Sequence, residues 1–197
     1  MKINEIFYSL QGEGYNTGTP AIFVRFSGCN LRCPFCDTDY SKGKEMEETE
    51  IAAEVAKFPA SLVVLTGGEP AAHVTASLVE LLHAEGKTIA IETNGTQTLP
   101  KNINWITLSP KDMFLGKKAA PVLSEADEIK IVYDGETDMQ EQIKKYEHIN
   151  VKHRFIQPCD TGNATKNAEI IQHTIAFCKQ HPEWRLSLQT HKILNIK

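Results

Sequence analysis

Gly28-Cys29-Asn30-Leu31-Arg32-Cys33-Pro34-Phe35-Cys36-Asp37-Thr38-Asp39 places three cysteines within eight residues, spaced three and then two apart. Clustered thiols in a reduced chain point to metal or redox chemistry, and Gly28 and Pro34 shape the loop that carries them. A structural zinc wants four protein ligands, and the nearest histidine along the chain is His73. Ferredoxin-type clusters also take four cysteines, in spacings absent here. A cubane iron–sulfur cluster held by three cysteines leaves one iron open to a substrate or cofactor. The plainer alternative is a buried trio, or a zinc loop with a distant fourth ligand. Of the other cysteines, Cys178 lies on an apolar helical stripe and is expected in the core. Cys159 follows Gln157-Pro158 and is left unassigned.

Outward from this loop the chain alternates apolar strand-length runs with helical stripes. The runs are Ala21–Phe26, Leu62–Leu65, Thr88–Ile91, Trp105–Leu108, Glu128–Val132, Lys152–Ile156 and Trp184–Leu188. Helical stripes are carried by Ile51/Val55/Phe58, Val74/Leu78/Leu81/Leu82 with Gly86 as a stop, Met139/Ile143/Tyr146, and Ala168/Ile171/Ile175/Cys178. Such alternation implies a parallel sheet. At 197 residues the chain is short of a complete eight-fold barrel, so an incomplete parallel α/β barrel is expected, as a single domain over residues 1–197. The unusual residues follow strands: Gly28–Asp39, Thr66–Pro70, Thr93–Thr96, Ser109–Lys111, Gln157-Pro158 and Gln189–Lys192. Ligands of parallel α/β folds sit at strand carboxyl ends, so these segments should converge on one site.

Composition sets the frame. The chain is 41% apolar and 23% charged, with 21 basic and 25 acidic side chains and a net charge of −4. Bulk charge gives no reason to expect a nucleic-acid or membrane partner, and no run has signal-peptide or bilayer-spanning length. A cytoplasmic enzyme is the expectation.

Two motifs together carry a resemblance. The three-then-two cysteine spacing with Phe35 before the last cysteine, followed by Gly67-Gly68-Glu69-Pro70, resembles the radical S-adenosylmethionine (SAM) superfamily. The resemblance implies a [4Fe-4S] cluster on Cys29, Cys33 and Cys36 and a barrel of the radical SAM type. SAM would chelate the open iron and, after one-electron cleavage, provide a 5′-deoxyadenosyl radical. Glycine suits a backbone that approaches a ligand closely.

Further motifs narrow the family. Leu10-Gln11-Gly12-Glu13-Gly14, Phe23-Val24-Arg25, Gly28–Cys33, Cys36–Thr38, Glu92–Thr96, Ser109–Lys111, Gln157-Pro158 and Leu188–Lys192 resemble the 7-carboxy-7-deazaguanine synthase family in the same order. Residues 41–61, 112–150 and 160–183 carry none of this likeness. Ala71-Ala72-His73 departs from the bulkier apolar residues expected there, which bears on packing. The likeness implies ring contraction of 6-carboxy-5,6,7,8-tetrahydropterin to 7-carboxy-7-deazaguanine with loss of ammonia. It implies SAM contacts at Phe35, Cys36, Asp37, Gly67, Gly68, Glu69, Gly95, Ser109, Pro110, Lys111 and Gln157, with Mg²⁺ on Thr38. Substrate contacts would come from Leu10, Gln11, Gly12, Glu13, Arg25, Thr93 and His191. A homodimer and a reducing protein such as flavodoxin complete the picture.

Plain readings stand beside these. Arg25 either grips a substrate carboxylate or pairs with a structural acid, and Asp37-Thr38-Asp39 is either a Mg²⁺ site or turn chemistry. Lys111 is otherwise a solvated loop lysine. His191 lines the pocket or satisfies local backbone groups. Competing functions are a glycyl-radical activase, which needs an open peptide groove, and a non-catalytic iron–sulfur or zinc redox module.

Overall fold

The computed structural model describes residues 1–197. Its sheet grows from β2 (Pro20–Phe26) and β4 (Leu62–Gly67), which pair in parallel with Arg25 opposite Thr66. Both strands are apolar on both faces and so need cover on both sides. β5 (Thr88–Thr93), β6 (Trp105–Leu108), β7 (Glu125–Tyr133), β8 (Asn150–Pro158) and β9 (Arg185–Leu186) continue in parallel in that order. On the other side of β2 lies β1 (Lys2–Leu10), antiparallel, with β3 (Lys44–Glu45) on its start. The nine strands run β3-β1-β2-β4-β5-β6-β7-β8-β9 and the two ends do not pair, so the barrel stays open as expected.

Several elements differ from the sequence reading, which also gave no place to β3. β1 was not expected, because its polar and apolar residues follow no clean alternation; it is held by pairing along β2. The run Trp184–Leu188 pairs through two residues only, Arg185 and Leu186, because β9 is an edge with one neighbour.

Helices cover the outer face. α1 (Glu48–Ala56) and α2 (Ala76–Ala84) pack Ile51, Val55, Leu78 and Leu82 on Ile22, Val24, Leu65, Ile89 and Ile91. After the single turn of α3 (Asp112–Leu115), α4 (Met139–Lys145) and α5 (Ala164–Gln180) set Ile143, Ile170 and Phe177 against Ile129, Ile131 and Ile156. The α5 stripe is a correction: Ile170, Thr174 and Phe177 are buried, while Ile171, Ile175 and Cys178 flank them and Ala168 is exposed. Phe177 has the largest apolar surface on that helix, and its burial turns the face by one residue. Cys178 therefore packs at the rim of this core rather than inside it.

The inner face is layered. At the strand starts Ala21, Phe23, Leu62, Val64 and Ala90 form an apolar floor with Phe7 and Trp105. Two residues further along each strand stand Arg25, Thr66, Glu92 and Thr107, with Glu128 in register with Thr107. Apolar floor and polar rim together place the chemistry at the carboxyl ends.

Candidate active site

The six post-strand segments meet around one cavity of about 310 Å³. Every site residue read from the sequence lines it except Gly95 and Pro110. Gly95 turns away with φ +76°, where an added Cβ would meet Leu108 Cδ1 at 2.3 Å.

The cysteine loop leaves β2 through Ser27 and Gly28, whose N–H donates to Tyr40 O at 3.1 Å and closes the loop's two ends. Within it Cys36 N donates to Cys33 O at 3.2 Å, and Leu31 N to Cys29 Sγ at 3.4 Å. Phe35 packs edge-on against Phe114 of α3, ring centroids 4.6 Å apart, which ties the loop to the strand β6 exit. All three cysteines reach the cavity, yet no three His, Cys, Asp or Glu side chains are gathered as a single metal ion gathers them. Burial pushes the Cys29 and Cys33 thiols up, with Lys111 as the opposing cation. Thiolates there call for a positive metal group, and three soft donors on one wall fit a cluster that leaves one position to a ligand. Cys159 also lines the cavity, but its charged neighbours are Asp134, Asp160, Lys192 and Lys166, on the β8 side.

The glycine loop is stitched to the cysteine loop: Gly68 N donates to Phe26 O at 3.1 Å and Glu69 N to Gly28 O at 3.0 Å. Glu69 is 1% exposed and spends its carboxylate internally, accepting from Ala71 N at 3.0 Å, Thr93 Oγ1 at 2.6 Å and Asn94 N at 2.8 Å. Burial raises its pKa while these bonds and Lys111 pull it down. Glu69 braces the β4 loop against the β5 loop, and the Thr93 hydroxyl is committed to Glu69 on one side and to Gly95 N on the other. Thr66, in register beside Arg25 and on the cavity wall, is the threonine whose hydroxyl has no protein partner.

Arg25 pairs with an acid and also lines the cavity. Its Nε pairs with Glu5 Oε1 at 3.0 Å, while Nη1 and Nη2 make no bond and the side chain lines the cavity. Lys111 is half-buried against Ser109, donating to its carbonyl at 2.7 Å and its hydroxyl at 2.5 Å, and desolvation lowers its pKa to about 8. It is not a solvated lysine. Asp39 is turn chemistry, accepting from Ser41 N at 3.0 Å and Ser41 Oγ at 2.6 Å, whereas Thr38 lines the cavity. His191 sits over Gly12, where a Cβ would meet Nδ1 at 2.3 Å, and neither ring nitrogen has a bonded partner.

α6 (Thr190–Leu194) crosses the rim. Lys192 Nζ bridges Asp37 Oδ2 at 2.7 Å and Asp160 Oδ2 at 2.9 Å, and Thr190 N donates to Gly12 O at 3.0 Å. That bridge ties α6 to the cysteine loop and to the segment after β8.

Sequence reasoning missed Lys130, and it gave Glu92 no role. Lys130 Nζ lies 2.5 Å from Glu13 Oε2 and 3.0 Å from Glu92 Oε2 inside the cavity. The signal was there: Glu128 and Lys130 are charges two residues apart in an otherwise apolar run, hence on one face of a strand.

The Radical SAM superfamily model matches residues 23–114. A 7-carboxy-7-deazaguanine synthase of Bacteroides thetaiotaomicron is 50% identical over 196 residues, covering 100% of this chain and 98% of its own. The chain belongs to the 7-carboxy-7-deazaguanine synthase family. A Burkholderia multivorans synthase is 39% identical over 98% of both chains. The crystal structure of QueE from Escherichia coli superposes with a TM-score of 0.78 at 31% identity, covering 95% of this chain and 92% of that one. Membership in a radical SAM family carries a [4Fe-4S] cluster and SAM with it, and the cysteine wall is where they fit.

Proposed function

We infer that this chain contracts the ring of 6-carboxy-5,6,7,8-tetrahydropterin to 7-carboxy-7-deazaguanine with loss of ammonia, a step toward queuosine and related deazapurines. The observation that carries this reading is one cavity joining the three-cysteine loop to an arginine fork with free Nη atoms and a wall of carboxylates. With cluster and SAM bound, the site gains a carbon radical able to abstract a substrate hydrogen. The chain's own residues bind, orient and enclose. Arg25 offers a planar, permanently charged fork to the substrate carboxylate. Leu10, Gln11, Gly12 and the Glu13 carboxylate line the wall offered to the pterin edge, although the Gln11 backbone is already bonded to Thr19 O and Gly18 N and the Gly12 carbonyl to Thr190 N. On the SAM side we read Gly67, Gly68, Ser109, Lys111 and Gln157 as the cradle, with Phe35, Cys36 and Asp37 along the cluster edge.

The deciding experiment supplies anaerobically reconstituted protein with reductant, SAM and the carboxytetrahydropterin, and looks for the deazaguanine by mass. Arg25→Lys should lower kcat/KM about ten- to a hundred-fold, since an ammonium cannot reproduce the fork. The same variant should still form 5′-deoxyadenosine slowly without substrate. Normal turnover in Arg25→Lys would leave Glu5 as the arginine's only business.

For Mg²⁺ we propose Thr38 as an oxygen ligand, supported by its place on the cavity wall beside Asp37. Thr38→Ala should then raise the Mg²⁺ concentration for half-saturation about ten-fold and leave iron content untouched. An unchanged Mg²⁺ titration removes the assignment. We further read residues 1–197 as one domain of a cytoplasmic homodimer, reduced by a protein such as flavodoxin. The single continuous sheet supports the one-domain reading. No helix is long and apolar enough to cross a membrane.

A further inference from the structure

Lys130 is 4% exposed on a strand whose neighbours Ile129, Ile131 and Val132 are all buried apolar residues. A buried ammonium paired with two half-buried carboxylates seldom stabilises a fold better than apolar side chains of the same volume. Its placement therefore asks for a reason in the site.

The three charges come from three separate elements: Glu13 from the β1–β2 loop, Glu92 from the end of β5, Lys130 from the middle of β7. Each carboxylate turns its Oε2 to the ammonium. Each is locked at Oε1 by an amide: Gln189 Nε2 at 2.9 Å for Glu13, Gln11 Nε2 at 3.1 Å for Glu92. We propose that Lys130 is a positioning residue for the substrate: by bridging Glu13 and Glu92 it holds two carboxylates fixed in orientation on the wall that faces the pterin. This rests on the ring-contraction reading above for the identity of the ligand, though not for the bridge itself.

The surrounding charges agree. Glu128 stands one layer below on β7, Lys111 approaches from the β6 exit, and His191 lies beside Glu13 from α6. Burial works against the Glu13 carboxylate, but Lys130's charge and hydrogen bond, with the Gln189 amide, bring its pKa down to about 2. Glu92, at the longer contact, goes the other way: burial lifts it, and Glu13 and Glu128 lift it further against Lys130. Without the ammonium, two neighbouring half-buried carboxylates lose the charge that lowers both, and each raises the other's pKa.

The test uses Lys130→Met and Lys130→Arg in anaerobically reconstituted protein, with circular dichroism and iron content as checks on folding. Glutamate carboxyl groups are followed by ¹³C NMR against pH, and kcat/KM on the carboxytetrahydropterin is measured over the same range. In Lys130→Met one of the two carboxylates should titrate at least about one unit higher, moving the acid limb of kcat/KM toward neutrality. Turnover at pH 7 should fall about a hundred-fold. Lys130→Arg should return the limb to its wild-type position and recover at least about ten-fold of the loss. A folded Met variant whose glutamates titrate as in wild type overturns the proposal, and so does an Arg variant with a displaced limb. Should the Met variant fail to fold, the Arg variant decides alone. If wild-type protein does not turn over the pterin, the functional reading falls, while the carboxyl titration still decides the role of Lys130.

Discussion

Alanine at Cys29, Cys33 or Cys36, one at a time, is expected to lower turnover by at least about a thousand-fold, the largest effect available in this chain. Each cysteine reaches the same cavity from one twelve-residue loop, and each is a soft donor with no compensating neighbour. Removing one thiolate leaves a hard or absent ligand where iron needs sulfur. Iron and sulfide per chain should fall with activity, and 5′-deoxyadenosine should not form even without substrate. Cys178→Ala is the contrast: at the rim of the α5 core it should cost about 1 kcal/mol of stability or less and keep full iron. Full activity in any one of the three loop variants would refute the cluster assignment. Iron lost from Cys178→Ala would show that the helix had been misread.

What the sequence made legible follows from how local each signal is. The cysteine spacing and Gly67-Gly68 are read within a few residues, and both emerge at neighbouring strand ends. The apolar runs became strands because a parallel sheet covered on both faces needs no alternation, only length and turn residues at the ends. β1 was illegible since nothing in Lys2–Leu10 announces it; its order comes from pairing along β2, a partner ten residues further on. The helix α5 shows a subtler limit. Its apolar arc spans two adjacent stripes, and only the fit of Phe177 into the wall of Ile131 and Ile156 chooses between them.

Within the site, residue type was legible and commitment was not. Thr93 and Glu69 have the chemistry of ligand contacts, but they satisfy each other, and that is visible only when β4 and β5 lie side by side. Arg25 carried two readings because an arginine has two edges. The fold uses its Nε for Glu5 and leaves the Nη pair, a division no spacing rule can give. Lys130 went unread because its partners are 117 and 38 residues away. Period-2 reasoning would have found its face, and only the sheet order supplies the carboxylates.

The second large effect is expected from a methyl group. In Gly68→Ala the new Cβ would stand 1.8 Å from Gly28 O, 2.3 Å from Gly28 C and 2.9 Å from Cys29 N. These are backbone atoms, so no side-chain rotation relieves the clash, and a carbon–oxygen contact needs roughly 3.5 Å. The glycine loop must therefore move away from the cysteine loop by more than about 1 Å, breaking the Glu69 N–Gly28 O bond and shifting Cys29 with it. Such a displacement at a site built on positions costs about a hundred-fold or more in kcat/KM, together with a raised KM for SAM and a lower iron content. Gly162→Ala is the control. Gly162 also has a positive φ, +74°, but an added Cβ finds nothing within 4 Å, so backbone strain of about 1 kcal/mol should lower thermal stability and leave kcat/KM within about two-fold. Measuring iron, KM for SAM and unfolding temperature in both variants separates contact from strain. Normal iron and a normal KM in Gly68→Ala would mean that the two loops are not held at this spacing, and the cradle between them would have to be placed elsewhere.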